Sequence, residues 1–134
     1  MVQTLVVDDD RDTREVLRVV LEDSGYAVAE AADGIETLES LRTNSAAMVV
    51  LLDLDLPRLD GIGVLEAVAQ DARLAARHAF VLLTAVQHSR YQMAEDICAR
   101  LAVPLVLKPF DLDELLDTVA MLARRLPPAP SDPV

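Results

Sequence analysis

The chain has 134 residues, of which 52% are hydrophobic and 26% charged, and its formal net charge is −11. That length suits one domain with a sizeable core, and the apolar content argues against a disordered chain. The negative charge argues against binding to nucleic acid or to an anionic membrane surface, because both repel an acidic protein. Cys98 is the only cysteine, so neither a disulfide nor a cysteine-based metal site can form within one chain.

The N-terminal residues lack the basic and apolar regions of a signal peptide. The longest apolar run, 46–52, is too short to cross a bilayer. We therefore expect a cytoplasmic protein that makes no membrane contact.

Five short apolar runs alternate with longer segments of helical periodicity. The runs are rich in Val and Leu and mostly lack polar alternation, which is typical of strands buried on both faces of a parallel sheet. The second run is weaker and is expected nearer an edge. In chain order the runs are Leu5–Val7, Tyr26–Ala29, Met48–Leu52, Phe80–Leu83 and Leu105–Leu107.

The segments between the strands predict helices with capping residues at their ends. The five predicted helices are, in order, about 12–24, one opened by Asp33-Gly34, one opened by Asp60-Gly61, about 89–101, and one capped by Asp111. Strict alternation of strand and helix predicts an α/β fold with right-handed crossovers and helices on both faces of the sheet. Residues 1–126 form the predicted domain, and 127–134 are a proline-rich tail or linker.

Polar residues follow four of the predicted strands. Asp8 and Asp9 follow the first, Asp53 the third, Thr84 the fourth and Lys108 the fifth. The carboxyl ends of parallel strands share one edge of the sheet, where ligands of open α/β folds bind. Each residue alone is better explained as a helix cap or loop residue, but their coincidence on four strands predicts a shared site.

The chemistry of this group favours a phosphate site with a metal ion. Clustered carboxylates repel each other unless a cation neutralises them, and a few carboxylates with water suit Mg²⁺. A lysine and a hydroxyl group can hold phosphate oxygens, and a carboxylate can attack phosphorus. Lys108 is the only lysine among 12 cationic residues, which fits equally a need for a compact charge on a flexible stem and the chance survival of one lysine.

Four stretches together resemble the receiver domains of bacterial two-component response regulators, over about residues 2–125. The resemblance implies a doubly wound, flavodoxin-like (CheY-like) fold, with a five-stranded parallel sheet in the order 2-1-3-4-5 and five flanking helices. The stretches are Leu5-Val6-Val7-Asp8-Asp9-Asp10, Leu52-Asp53-Leu54-Asp55-Leu56-Pro57 with Asp60-Gly61, Leu83-Thr84-Ala85, and Lys108-Pro109-Phe110.

The resemblance also implies residue roles. Asp53 matches the phosphoacceptor, and Asp8 and Asp9 match the acidic pair that holds Mg²⁺, the only cofactor expected. Asp55 is expected to offer its backbone carbonyl to the metal. Asp10 is expected to be a loop or capping residue.

Thr84 matches the hydroxyl that turns towards the phosphoryl group, and Lys108 the lysine that pairs with a phosphoryl oxygen. The bond before Pro109 is expected to be cis. The chain departs from the family at Leu105, where an aromatic residue commonly acts as a rotamer switch. A switch without an aromatic side chain would work through the loop after Thr84 and the fourth predicted helix.

The implied function is a signalling phosphoacceptor rather than an enzyme. The phosphoryl donor would be a sensor histidine kinase or a histidine phosphotransfer protein. Phosphorylation would change the surface of the fourth predicted helix, the fifth strand and the last helix, and so bias an output protein or domain. A phosphorylation-dependent dimer and a place within a longer protein both stay open.

Two alternatives remain. Asp53-Leu54-Asp55-Leu56 resembles the motif of haloacid-dehalogenase-like phosphatases, but that family leaves Asp8 and Asp9 unexplained and needs a longer chain. A receiver-fold scaffold that takes no phosphate would need a broken site. His78 and His88 are expected on the surface or in loops, and Cys98 is expected to be a small buried apolar residue.

Overall fold

The computed structural model describes residues 1–128; of the predicted tail 127–134, residues 129–134 lie outside the described residues. The strands are β1 Gln3–Val7, β2 Ala27–Ala31, β3 Met48–Asp53, β4 Ala79–Thr84 and β5 Leu105–Leu107. The helices are α1 Arg11–Asp23, α2 Gly34–Thr43, α3 Gly61–Ala69, α4 Ala72–Arg77, α5 Tyr91–Leu101 and α6 Leu112–Arg125. Among the described helices, none is long and apolar enough to span a membrane.

The strands form one parallel sheet in the order β2-β1-β3-β4-β5, as predicted. β2 lies at an edge and is mostly half-buried, which confirms the expectation from its weaker apolar pattern. β3 lies at the centre, and all six of its residues are buried. The strand order reverses between β1 and β3, so the carboxyl ends of these two strands border the crevice where doubly wound folds bind ligands.

Helices cover both faces of the sheet. α2, α3, α4 and α5 contribute to the hydrophobic cluster on one face, and α1 and α6 to the cluster on the other. The apolar positions of α1 and α6 recur every three or four residues, so each presents one stripe to the sheet. Leu17 and Leu21 are the buried residues of α1, and Leu115, Val119 and Leu122 those of α6.

Aspartate side chains cap five of the six described helices. In each case a carboxylate oxygen accepts hydrogen bonds from backbone N–H groups of the first turn, which otherwise have no partner. α5 is the exception: it is preceded by Arg90, whose side chain makes no capping bond. The capping residues are Asp10, Asp33, Asp60, Asp71 and Asp111.

The prediction of five flanking helices is wrong by one, because the described residues hold six. The additional helix, α4, has only six residues and buries only Leu74. A segment of that length cannot show helical periodicity in its apolar residues. Its N-terminal cap, Asp71, accepts from the backbone N–H groups of Arg73 and Leu74.

His78 lies in the connection between α4 and β4, as expected of a loop residue, but it is buried and not at the surface, with 5% of its surface exposed. Its Nδ1 accepts a hydrogen bond of 3.1 Å from the backbone N–H of Met48, the first residue of β3. The ring therefore joins the end of α4 to the central strand, and burial lowers the pKa of His78. His88 lies in the loop before α5, as expected, and Cys98 is buried.

Candidate functional site

The carboxyl ends of the central strands bring the predicted site residues together. Asp53 is the last residue of β3, and Lys108 follows β5 directly. The Lys108 Nζ atom lies 3.1 Å from Asp53 Oδ1 and 3.8 Å from Asp8 Oδ2. The lysine thus reaches across the end of β4 to two carboxylates, as the sequence predicts from their places after separate strands.

Three carboxylates form a cluster at this edge. Oxygen atoms of Asp8, Asp9 and Asp53 lie within 4.8 Å of one another, with Asp8 and Asp53 buried and Asp9 exposed. Asp8 is held in place because its Oδ1 accepts from the backbone N–H of Asp10 at 2.8 Å. Its carbonyl oxygen accepts from Arg14 Nη1 at 2.6 Å. The cluster is therefore a fixed, all-oxygen arrangement that could hold a metal cation.

The electrostatics of the cluster are unfavourable for the ionised form of Asp53. Burial raises the pKa of Asp53 to about 6, Lys108 opposes that rise, and the neighbouring Asp8 adds to it. One lysine does not balance the burial and mutual repulsion of these carboxylates. A divalent cation among them would favour the ionised form of Asp53, which is the nucleophilic form of a carboxyl group.

Thr84 lies at the end of β4 and is buried, with 2% of its surface exposed. Its hydroxyl group lies 3.4 Å from the carbonyl oxygen of Ala85, to which it donates. Its own carbonyl accepts a 2.8 Å bond from the backbone N–H of Lys108, so the ends of β4 and β5 are locked side by side. The hydroxyl is thus bonded to its own loop, and rotation about χ1 would redirect it.

Three further sequence expectations concern the bond before Pro109, the role of Asp10 and the role of Asp55. The Lys108–Pro109 bond is cis, as the resemblance implies. Asp10 caps α1, as expected, and hydrogen bonds from Thr13 and from backbone N–H groups lower its pKa. Asp55 is exposed, and its backbone N–H donates to Asp53 Oδ1 at 3.5 Å; the role of its carbonyl stays a prediction.

Gly61 allows α3 to begin directly behind the phosphoacceptor candidate. A Cβ atom at Gly61 would lie 2.7 Å from the carbonyl oxygen of Asp53 and 3.0 Å from the Cα of Leu54. Real Cβ atoms do not approach backbone atoms that closely, so any larger residue would displace the end of β3. The glycine therefore sets the position of Asp53, and it begins α3 as the sequence predicts.

Two ion pairs at the rim of the site were not found by sequence reasoning. Arg58 Nη1 lies 3.3 Å from Asp33 Oδ2, and Arg90 pairs with Asp60. Each aspartate caps a helix with one carboxylate oxygen and pairs with an arginine through the other. The pairs join loops that are 25 and 30 residues apart along the chain, and no local pattern signals such a contact.

Comparison with known proteins agrees with this geometry. Residues 4–120 match the family described as response regulator receiver domain. Response regulator MprA of Mycobacterium sp. (strain KMS) is 38% identical over 127 residues, which cover 95% of this chain and 53% of the relative. The chain thus spans about half the length of the curated relatives that it matches.

Solved structures show the same architecture. A CheY-like receiver domain protein from Methanospirillum hungatei JF-1 superimposes with a TM-score of 0.78 at 27% identity, over 92% of this chain and 95% of that one. The response regulator TrrA from Thermotoga maritima, solved in complex with Mg(2+)-BeF, gives a TM-score of 0.74 at 30% identity. That comparison covers 91% of this chain and 99% of the other.

The parallel sheet, the carboxylate cluster and the lysine at its edge define a receiver domain. The family match covers most of the chain, and the chain belongs to the response regulator receiver domain family. It is a module of two-component signalling.

Proposed function

We propose that the chain is a phosphoacceptor switch in which Asp53 receives a phosphoryl group from a phosphohistidine. The observation that carries the proposal is the Lys108 Nζ atom, 3.1 Å from Asp53 Oδ1, beside the carboxylates of Asp8 and Asp9. The donor would be a sensor histidine kinase or a histidine phosphotransfer protein. Such a switch would act in the cytoplasm and would not be a turnover enzyme.

The carboxylates fit a magnesium ion. They supply only hard oxygen donors, and Asp8 and Asp53 are buried in a cluster with one lysine as counter-charge. Mg²⁺ prefers one or a few carboxylates together with water and phosphate oxygens, which this open edge can admit. We assign Asp8, Asp9 and Asp53 as side-chain ligands and the carbonyl of Asp55 as a backbone ligand. When bound, the ion would neutralise charge on the carboxylates and on the phosphoryl oxygens.

The transfer itself needs a nucleophile and charge stabilisation. An Asp53 carboxylate oxygen attacks phosphorus, the P–N bond to the donor imidazole breaks, and the imidazole takes up a proton as it leaves. An acyl phosphate results on Asp53. Lys108 stabilises the negative charge on a phosphoryl oxygen, because its ammonium group already lies against the acceptor carboxylate.

Thr84 connects phosphorylation to the surface. Its hydroxyl would leave the Ala85 carbonyl and donate to a phosphoryl oxygen, which shifts the loop between β4 and α5. Leu105 occupies the position of the usual aromatic switch and is half-buried, so we assign the conformational change to this loop and to α5. The output surface would comprise α5, β5 and α6, where Met93 and Leu107 are exposed.

The decisive experiment is intact-mass measurement after incubation with Mg²⁺ and acetyl phosphate or phosphoramidate. We expect one phosphoryl adduct, which disappears when Mg²⁺ is omitted and in the matched Asp53→Asn variant. Asp55→Asn is a second control, because it alters a neighbouring carboxylate and should leave the adduct in place. Absence of an adduct with every donor would overturn Asp53 as the acceptor and would favour the scaffold alternative.

Turnover distinguishes the phosphatase alternative. The proposed switch takes its phosphoryl group from a phosphohistidine, whereas a haloacid-dehalogenase-like enzyme hydrolyses phosphate esters repeatedly. We therefore expect no sustained hydrolysis of p-nitrophenyl phosphate. Sustained hydrolysis that is lost in Asp53→Asn would contradict the switch and support the enzyme.

A further inference from the structure

A groove lies at the edge of the sheet opposite Asp53. Two adjoining cavities form it, one of about 280 Å³ and one of about 770 Å³, and both are lined by Ala76, Leu126 and Pro127. The walls are α4, the end of α6 and the amino ends of the strands. We call this surface the basal groove and define it by Arg73, Ala76, Arg77, Arg125, Leu126 and Pro127.

The basal groove is apolar and open. Alanines supply much of the lining, and their small side chains leave room that a larger neighbour would fill. Leu65, Phe80 and Leu122 form part of the floor of the smaller cavity. Clefts of this size and apolar character can accept inserted side chains, with polar groups at the margin that fix their orientation.

The charge of the basal groove is opposite to that of the protein. Over the described residues 1–128, three arginines line it and no aspartate or glutamate does, although the chain has 23 acidic and 12 basic residues. Among the described residues, none of these three arginines forms an ion pair. Arg77 bonds instead to the carbonyl of Asn44, at 3.4 Å.

Local helix electrostatics explain only part of this charge. Arg77 and Arg125 lie in the last turns of α4 and α6, where a cation stabilises the helix terminus. Arg73 is different, because it lies in the first turn of α4, where a cation is unfavourable. It is exposed and forms no ion pair among the described residues. Stabilisation of the fold by itself therefore does not explain why position 73 carries an arginine.

We propose that the basal groove binds an acidic, amphipathic segment of a partner protein. Apolar side chains of that segment would enter between α4 and α6, and its carboxylates would pair with Arg73, Arg77 and Arg125. A short segment in the groove is affected mainly by charges near it, since charges separated by more than about 8 Å are largely screened at physiological salt. A long polyanion such as nucleic acid would also meet the acidic remainder of the protein.

The test uses the full chain, labelled with ¹⁵N, and a defined peptide. The probe is an amphipathic peptide of about 14 residues, or four helical turns, with Leu on one face and Glu on the other. We expect amide shifts at Ala47, Ala76 and Leu126 on titration. The matched peptide with Lys in place of Glu should cause none. Arg73→Glu should weaken binding at least about tenfold, which corresponds to about 1.4 kcal/mol.

Two variants control for general charge and for folding. Arg11→Glu makes the same charge change at an exposed position at the start of α1, at the opposite edge of the sheet, and should leave binding within about twofold, because surface charges far from a contact contribute little. Arg73→Lys keeps the positive charge and should retain binding. Equal binding by the Arg73→Glu variant and the unmodified chain would overturn the proposal.

Other occupants give different results, and each would overturn the assignment to an acidic segment. Groove shifts caused by an oligothymidylate, with none caused by the Glu peptide, would assign a nucleic acid. Nuclear Overhauser contacts from residues 129–134 to Ala76 would assign the chain's own C-terminus. Because the groove is remote from Asp53, the Asp53→Asn variant should bind the peptide unchanged, and failure of one proposal leaves the other standing.

Discussion

Replacement of the buried acceptor carboxylate by a neutral amide should make the metal-free protein more stable. Burial and the nearby Asp8 raise the pKa of Asp53 from 3.8 to about 6 in the folded state. Above about pH 6 the folded protein therefore carries an unfavourable charge that the unfolded chain solvates. In Asp53→Asn that charge is absent, while the side chain keeps nearly the same size.

The size of this stabilisation follows from the shift in the pKa of Asp53. A rise from 3.8 to about 6 is about two pKa units, and each unit corresponds to about 1.4 kcal/mol, so the upper limit is about 3 kcal/mol. Loss of the attraction to Lys108 and access of solvent at the sheet edge reduce this value. We expect Asp53→Asn to add about 1–2 kcal/mol, which raises Tm by about 3–8 °C for a domain of this size.

The stability that Asp53→Asn adds should increase as the pH rises. A carboxyl whose pKa is raised on folding contributes stability below its unfolded pKa and loses it as the pH rises through the folded pKa. The difference between Asp53→Asn and the unmodified chain should thus be near zero below pH 3.8 and largest above about pH 6.

Urea unfolding in EDTA, followed by circular dichroism across this pH range, measures the difference directly. Millimolar Mg²⁺ should stabilise the unmodified chain more than the variant, because the variant lacks one ligand carboxylate. A variant that is less stable than the unmodified chain in EDTA at neutral pH would refute the reasoning. So would a difference that does not change with pH.

Three further predictions concern separate parts of the molecule. Gly34→Ala should destabilise the protein by more than about 2 kcal/mol in urea unfolding, because its Cβ would lie 2.1 Å from the carbonyl oxygen of Leu59. Gly63→Ala is the control and should destabilise the protein less, because its Cβ would contact mainly the side chain of Leu59, which can move. His78→Leu should lower the free energy of unfolding by about 1–3 kcal/mol above pH 6.5, since the Met48 N–H loses its acceptor. This cost should shrink as the pH falls. Burial lowers the pKa of His78, so the unfolded form of the unmodified chain takes up a proton first and the unmodified chain loses stability. A cost that grows on acidification would contradict this role. Lys108→Met should lower the rate of adduct formation with acetyl phosphate at least about tenfold while leaving the fold intact, and an unchanged rate would remove Lys108 from the mechanism.

The sequence contains most of the fold because parallel strands and their helices leave local signals. β3 is apolar throughout because both of its faces are covered, and β2 is weaker because it lies at an edge. Asp33, Asp60 and Asp111 mark helix starts because first-turn N–H groups need acceptors. α4 was missed because six residues are too few to show a period.

The candidate site was predicted for a related reason. In a parallel sheet all the carboxyl ends lie along one edge, so a residue's place after a strand gives its place in space. Asp8, Asp53 and Lys108 could therefore be expected together before any distance was known, and in the structure the Lys108 Nζ atom lies within 3.8 Å of both carboxylates. The sequence by itself thus determined the class of fold and which side chains meet.

Tertiary structure decided what depends on exposure and on distant contacts. His78 is buried because α4 ends against β3, and no local pattern distinguishes a buried histidine from an exposed one. The pairing of Arg90 with Asp60 and the convergence of arginines on the basal groove join residues from separate turns of the fold. Such contacts have no periodic signal, because they depend on how whole helices pack and not on the spacing of residues within one helix.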